Sequence, residues 1–152
     1  MRILLTGAAG FIGSWLAEHL VARGDEVVGL DSFDPYYAPE LKRAHLAPVS
    51  RHPAFRLVEG DIRDRPLVKR LFDERLDAVV HLAARAGVRP SISEPATYAD
   101  VNVTGTANLL EHAAATGVRR FVFASSSSVY GADSAPPFRT DARADKPVSP
   151  YA

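Results

Sequence analysis

The stretch TGAAGFIG, Thr6–Gly13, decides the fold. It lies between an apolar run, RILLT at 2–6, and a segment where Ile12, Leu16 and Leu20 recur every four residues. The run reads as a buried strand, and the recurrence as one apolar face of a helix from Phe11 to Ala22. Gly7, Gly10 and Gly13 then occupy a strand-to-helix turn in a G-x-x-G-x-x-G pattern. Gly7 permits the tight turn, Gly10 lets the backbone approach a pyrophosphate, and Gly13 allows close helix packing. The first N–H groups of the helix, with its partial positive charge, face any phosphate placed there. An ordinary glycine-rich turn would show the same three glycines. The strand before and the helix after make the pattern a dinucleotide-binding fingerprint.

Outward from this turn, strand and helix signals alternate. EVVGL (26–30), FRLVEG (55–60), DAVVHLA (77–83) and RRFVFAS (119–125) read as four further strands. Gly24 suits a left-handed cap on the first helix, and a short helix is expected around Leu41–Leu46. Asp64 is placed to cap a helix with Pro66 in its first turn and Leu67, Leu71 and Phe72 on one face. A long helix from about Pro95 to Thr116 carries a stripe of Val103, Ala107, Leu110 and Ala114, and Gly117 closes it. After the fifth strand, about 25 residues rich in Pro, Ser and Asp lack periodicity, a length that marks a functional or disordered loop. Five buried strands separated by helices predict one α/β domain, a parallel sheet covered on both faces.

Composition narrows the function. A chain of 152 residues has the length of one domain, enough to bury about two thirds of its unfolded surface. Lys plus Arg and Asp plus Glu are both 18, and a chain without a basic surplus is a poor nucleic-acid binder. The absence of cysteine excludes disulfides and thiolate chemistry. No apolar run approaches the ~20 residues of a membrane span. The opening MRILLTGAAGFIG has too short an apolar core for a signal peptide, so a cytoplasmic location is the default expectation. His19, His45, His52, His81 and His112 show no metal-ligand spacing, and no metal site is expected.

Several polar residues fall where ligands are met in such a sheet. Asp31, 18 positions after Gly13, ends the second strand and is placed to take ribose hydroxyls; it also reads as a plain turn former. Asp61 and Ile62, in EGDIRD, follow the third strand where an adenine edge would lie, although Asp61 could simply begin a turn. FASSSSVYG (123–131) follows the fifth strand, whose carboxyl end faces the ligand crevice. Hydroxyls there could hold the oxygen of a reacting carbonyl or alcohol, or form only a polar loop.

Taken in order and spacing, these pieces resemble the extended short-chain dehydrogenase/reductases, the nucleotide-sugar epimerases and dehydratases. The resemblance runs through TGAAGFIG, Asp31, GDIRD, HLAA at 81–84, VNVTGT at 101–106, SSSSVYG and the final SPYA. It implies a Rossmann-type doubly wound parallel sheet, incomplete, with about five strands in the order 3-2-1-4-5. It also implies NAD as cofactor, contacted by Gly7, Gly10, Phe11, Ile12, Gly13, Asp31, Asp61, Ile62, Leu82, Ala83, Ala84, Asn102 and Tyr151. Asn102 reads alternatively as a helix-face asparagine.

The family's catalytic signature is Y-x-x-x-K, preceded by a serine or threonine. Tyr151 stands 25 positions after Ser126, and the lysine would fall three positions beyond Ala152. The resemblance therefore implies a sequence cut within its catalytic motif, without the C-terminal substrate domain of full-length relatives. Dehydratases of the family carry an Asp-Glu pair before V-Y-G, where serines stand here, so dehydration is disfavoured. DSFDPYY (31–37) and HLAARAGVRPSI (81–92) look most like UDP-glucuronate 4-epimerases, with UDP-glucose epimerases and UDP-sugar decarboxylases as close rivals.

The implied chemistry is transient oxidation at C4 of a UDP-sugar. Tyr151 would be the base, Ser126 the partner of the substrate oxygen, and the absent lysine the group that activates the tyrosine. Ser128 and Arg89 join the substrate contacts, Arg89 facing an acidic sugar or, alternatively, solvent. Full-length relatives pair the helix around Asn102–Ala115 in a homodimer. The 152 residues alone are expected to be inactive. A noncatalytic NAD-binding module and an inert fragment are the alternative readings.

Overall fold

The computed structural model describes residues 1–132 and 136–152. Five parallel strands form one sheet in the order β3-β2-β1-β4-β5. They are β1 (Arg2–Thr6), β2 (Glu26–Asp31), β3 (Phe55–Glu59), β4 (Ala78–His81) and β5 (Arg120–Phe123). This is the doubly wound order expected from the sequence. Because β1 is central and covered on both faces, its residues from Ile3 to Thr6 are all buried.

Alternation along the strands feeds two cores. On one face Ile3, Leu5 and Val27 pack with Ala17, Leu20 and Val21 of α1 (Phe11–Ala22) and Leu46 of α2 (Pro39–Leu46). On the other, Leu4, Val28, Leu30 and Val79 pack with α3 (Arg65–Phe72), and with Leu109 and Ala113 of α6 (Gly105–Thr116). Asp64 caps α3 as its sequence implies, its Oδ1 accepting the Leu67 N–H at 3.0 Å. Gly24, at φ +91°, turns the chain out of α1.

Two helices depart from the faces expected, α1 in part and the Pro95–Thr116 segment throughout. In α1, Leu20 is buried and Leu16 packs against the core as expected, but Ile12 is 65% exposed. The helix meets the sheet through Gly13, Ser14, Ala17, Leu20 and Val21, and the small residues of its first turns bring it near the strands. The stripe predicted for Pro95–Thr116 also lies outward, with Val103 67% and Leu110 48% exposed. That segment is three pieces: α5 (Pro95–Ala99), a π-helical turn at Asp100–Thr104, and α6. The wide turn changes the register partway along. The buried face is Gly105, Asn108, Leu109 and Ala113, of which only Leu109 is strongly apolar. A short helix, α4 (Val88–Ser93), precedes α5.

After β5, Ser127–Tyr130 form a 3₁₀ turn, and Tyr130 stacks on Phe138 with ring centroids 4.8 Å apart. Among the described residues no helix is long and apolar enough to cross a membrane.

Gly13 is the tightest requirement of this packing, since a Cβ there would overlap the Gly7 carbonyl. Gly13→Ala is expected to destabilise the protein by about 1–3 kcal/mol, as overpacked positions do. Chemical denaturation would show this as a lower midpoint with an unchanged slope.

Candidate active site

The ends of β1, β2, β3 and β4 open onto a cavity of about 210 Å³, lined by Gly7, Gly10, Asp31, Asp61, Ile62 and Leu82–Ala84. A second cavity of about 140 Å³ lies beside it, lined by Leu82–Ala84, Asn102, Ser125, Ser126 and Tyr151. The Leu82–Ala84 segment is thus the wall between them. Most of the residues singled out in the sequence therefore converge on one crevice at the carboxyl edge of the sheet.

The glycine loop is built as a cradle. Gly7 adopts φ +70°, and a Cβ there would approach the Ala83 nitrogen to 2.8 Å. At Gly10 a Cβ would lie 3.2 Å from the Gly7 carbonyl oxygen and 3.9 Å from the Tyr37 hydroxyl. Phe11 and Ile12 contribute the first amides of α1, which have no intrahelical acceptor. No acidic residue in that turn compensates the positive end. Their side chains point to solvent, so any ligand contact they make is through the backbone. The cradle therefore suits a diphosphate.

Asp31 is buried and already engaged. Oδ2 accepts the Ala9 N–H at 2.9 Å and Oδ1 the Phe33 N–H at 2.8 Å, which ties the glycine loop to the start of the following loop. Phe33 is held at φ +52°, a left-handed conformation costly for an aromatic residue. Lys42, also buried, places Nζ 3.6 Å from Asp31 Oδ1 and 4.9 Å from the Tyr37 ring centroid. Burial and the Asp31 charge both raise the Tyr37 pKa above its ordinary value. Sequence reading missed Lys42, because a lysine on a short turn-flanked helix looks solvated.

Asp61 is clasped by Arg63. Its Oδ1 accepts from the Arg63 backbone N–H and Nε, and its Oδ2 from the guanidinium at 2.7 Å. The Arg63 hydrogen bond holds the Asp61 carboxyl below its usual range. Ile62 is buried against Gly105, and its carbonyl accepts from Asn108 Nδ2 at 2.7 Å. Asn108 thus satisfies a buried backbone carbonyl, which an apolar residue there could not, and it carried no recognisable pattern in the sequence.

Asn102 lines the second cavity, but its carboxamide is occupied. Oδ1 accepts the Arg85 N–H at 2.8 Å and Nδ2 donates to the Arg85 carbonyl at 2.9 Å. Arg85 lines the first cavity, between the Tyr36 and Tyr98 rings and 3.5 Å from Asp34. Arg89 is exposed on α4 and lines neither cavity. Both arginines belong to HLAARAGVRPSI, and the sequence offered no periodicity to choose between them.

Ser126 and Tyr151 meet in the second cavity. The Ser126 Oγ caps the 3₁₀ turn by accepting the Ser128 N–H at 3.2 Å. Ser128 stands behind it, its hydroxyl 3.3 Å from that of Ser126, and Ser125 takes the place on the cavity wall. Tyr151 is half-buried, its ring edge-on to Tyr98 at 6.3 Å. Among the described residues no group of three or more His, Asp or Glu side chains could hold a metal ion.

A parallel sheet in this order, with a glycine loop at its first turn and a ligand crevice at its carboxyl edge, defines the Rossmann-type nucleotide-binding class. Comparison with known proteins goes further. The model of the GDP-mannose 4,6 dehydratase family matches residues 4–152, and the chain belongs to that family. It is 46% identical to UDP-glucuronate 4-epimerase 6 of Arabidopsis thaliana, covering 100% of this chain and 33% of that protein. It is 44% identical to protein CapI of Staphylococcus aureus, covering 100% and 46%. Among solved structures, DesIV, a dTDP-glucose 4,6-dehydratase from Streptomyces venezuelae with NAD and TYD bound, superposes with a TM-score of 0.88. That match has 40% identity and covers 99% of this chain and 47% of DesIV. UDP-glucose 4-epimerase from Brucella ovis in complex with NAD gives a TM-score of 0.84 at 31% identity, covering 99% and 43%. The chain thus spans between a third and a half of the relatives it matches.

One site group makes a pH prediction. His81 is buried at the floor of the second cavity, and burial lowers its pKa from 6.5 to about 4. The folded state therefore takes up this proton less readily than the unfolded state does. Its contribution is intact above pH 6.5, is lost as pH falls toward 4, and changes little below that. The expected loss over that window is about 3 kcal/mol, at 1.36 kcal/mol per pKa unit. Denaturation curves across the window should show it, and His81→Asn should flatten the slope.

Proposed function

We propose that these residues are the NAD-binding portion of a nucleotide-sugar 4-epimerase, most closely of the UDP-glucuronate type. The first cavity takes the adenosine and diphosphate, with Asp31 and Lys42 at the ribose, Asp61 and Ile62 at the adenine, and the α1 amides at the phosphates. The second takes the nicotinamide and the sugar C4. When bound, NAD would supply the hydride acceptor for C4, and epimerisation follows when the turned 4-keto sugar takes the hydride back on its opposite face. Tyr151 removes the proton from the 4-hydroxyl, and Ser126 donates a hydrogen bond to the same oxygen. The Leu82–Ala84 wall and Asn102 keep the reacting face dry and in place.

The observation that favours epimerisation over dehydration is the lining of the second cavity. It brings together Ser126 and Tyr151 and, among the described residues, contains no aspartate or glutamate side chain. Elimination of water from a sugar needs a proton donor and a base besides the pair engaged at C4, and the described lining adds no carboxyl group for it. Arg85, which lines the first cavity where Arg89 does not, is the cation of the HLAARAGVR segment placed toward the diphosphate. The outward Val103 of the π-helical turn and Leu110 of α6 support a homodimer through this stretch. Sedimentation at high concentration should then show self-association, and a clean monomer would remove that part.

Cofactor choice is a direct test. A 2′-phosphate ~4 Å from Asp31 would meet about 4 kcal/mol of repulsion at an effective dielectric of ~20. Lys42 beside it offsets part of this, so a preference for NAD over NADP of at least about tenfold is expected. Calorimetric titration of both measures it; NADP binding as tightly as NAD would contradict the role given to Asp31.

For the reaction, the purified protein is incubated with NAD and UDP-glucuronate, and the sugars are separated. No C4 epimer is expected from these 152 residues alone, and one whose formation Tyr151→Phe abolishes would show that they suffice for epimerisation. A 4-keto-6-deoxy product from a suitable sugar would establish dehydration instead.

A further inference from the structure

His81 ends β4, paired between Thr6 of β1 and Phe123 of β5. Its Nδ1 lies 2.6 Å from Thr6 Oγ1, and its Nε2 lies 2.8 Å from Thr106 Oγ1. Donor counting fixes which nitrogen carries the proton. Thr6 Oγ1 accepts the Ala83 N–H at 3.1 Å and the Leu82 N–H at 3.2 Å, the latter shared with the Thr6 carbonyl. A hydroxyl has two acceptor positions and one proton. With both positions taken, Thr6 can only donate toward His81, so Nδ1 is the acceptor. The single ring proton of a neutral imidazole is then on Nε2 and goes to Thr106 Oγ1. The Thr106 proton passes on to the Asn102 carbonyl at 2.6 Å.

The chain of bonds therefore runs one way, from Thr6 through His81 and Thr106 to the π-helical turn. That turn carries Asn102, whose carboxamide grips Arg85. The ring is otherwise enclosed by Phe121 and Phe123, with centroids at 6.1 and 5.6 Å. The groups that β1, β5 and α6 bring to it are thus hydroxyls and aromatic rings. Tyr151 is the titratable side chain that shares its cavity.

We propose that His81 is a positioning residue: locked as the Nε2–H tautomer between Thr6 and Thr106, it sets the Leu82–Ala84 wall against the Asn102 turn. Through that wall it controls nucleotide affinity. The affinity part rests on the dinucleotide reading of the two cavities, whereas the tautomer does not.

Two measurements on the purified protein test the two parts separately. In nitrogen NMR of the imidazoles, His81 should show an unprotonated Nδ1 and a protonated Nε2, unchanged from pH 8 to pH 5.5. A proton on Nδ1, or titration within that range, would overturn the tautomer. In NAD titrations, Thr106→Val, which removes the hydroxyl's bonds to both His81 and the Asn102 carbonyl, should weaken binding about tenfold. Thr106→Ser, which keeps the hydroxyl, should bind within about twofold of the original chain. Equal affinity in the valine variant, or no rescue by serine, would overturn the positioning role. Failure of the unaltered protein to bind NAD would overturn the nucleotide reading and the affinity part with it, leaving the nitrogen signals to judge the tautomer.

Discussion

The backbone of Gly7 lies against that of Ala83, so near that a Cβ at position 7 would come within 2.8 Å of the Ala83 nitrogen. Immediately before it, the Thr6 hydroxyl takes the Leu82 and Ala83 amides. These contacts set the separation between the ends of β1 and β4, and the other parts of the site are placed relative to that gap. The α1 amides start on one side of it, and His81, Thr106 and the Asn102 turn follow on the other. A backbone approach this close tolerates no side chain, and so the glycine is a packing requirement before it is a ligand contact.

Charge in the crevice is arranged by the same economy of space. Asp31 is stabilised by two backbone amides and by Lys42, all within a buried cluster. Asp61 is held by Arg63, which also reaches Asp100 at the start of the π-helical turn. Each carboxylate is thereby fixed before any ligand arrives, which lowers the ordering cost of binding. The family relationship and this arrangement agree: the matched relatives include proteins solved with NAD, and the cradle here suits a dinucleotide.

Much of this was legible in the sequence. The five strands, the glycine loop and the place of Asp31 and Asp61 at strand ends follow from motif and spacing, whereas the strand order and the pairing of Ser126 with Tyr151 come from the family resemblance. What periodicity could not show is which face a helix buries when that face is made of small or polar residues. Ile12, Val103 and Leu110 looked like core and lie outward, while Ser14, Gly105 and Asn108 lie inward. Arg89, the arginine expected at the ligand, lies outward and Arg85 lines the cavity instead, because only the fold decides which of the two turns inward. Lys42 and His81 were hidden for a related reason: each is an isolated polar residue, and its partners, Asp31, Thr6 and Thr106, are distant in sequence. The structure brings those partners together, and no local pattern announces it.

The central claim is that two cavities sharing the Leu82–Ala84 wall hold one dinucleotide, with the chemistry at Ser126 and Tyr151. A crystal structure of the protein with NAD and UDP-glucuronate tests it most directly. The account predicts adenosine beside Asp31 and Asp61, the diphosphate over the α1 amides, and the nicotinamide in the second cavity with the sugar C4 oxygen between Ser126 and Tyr151. A dinucleotide bound elsewhere, or one whose nicotinamide lies outside the second cavity with the sugar away from Tyr151, would contradict it.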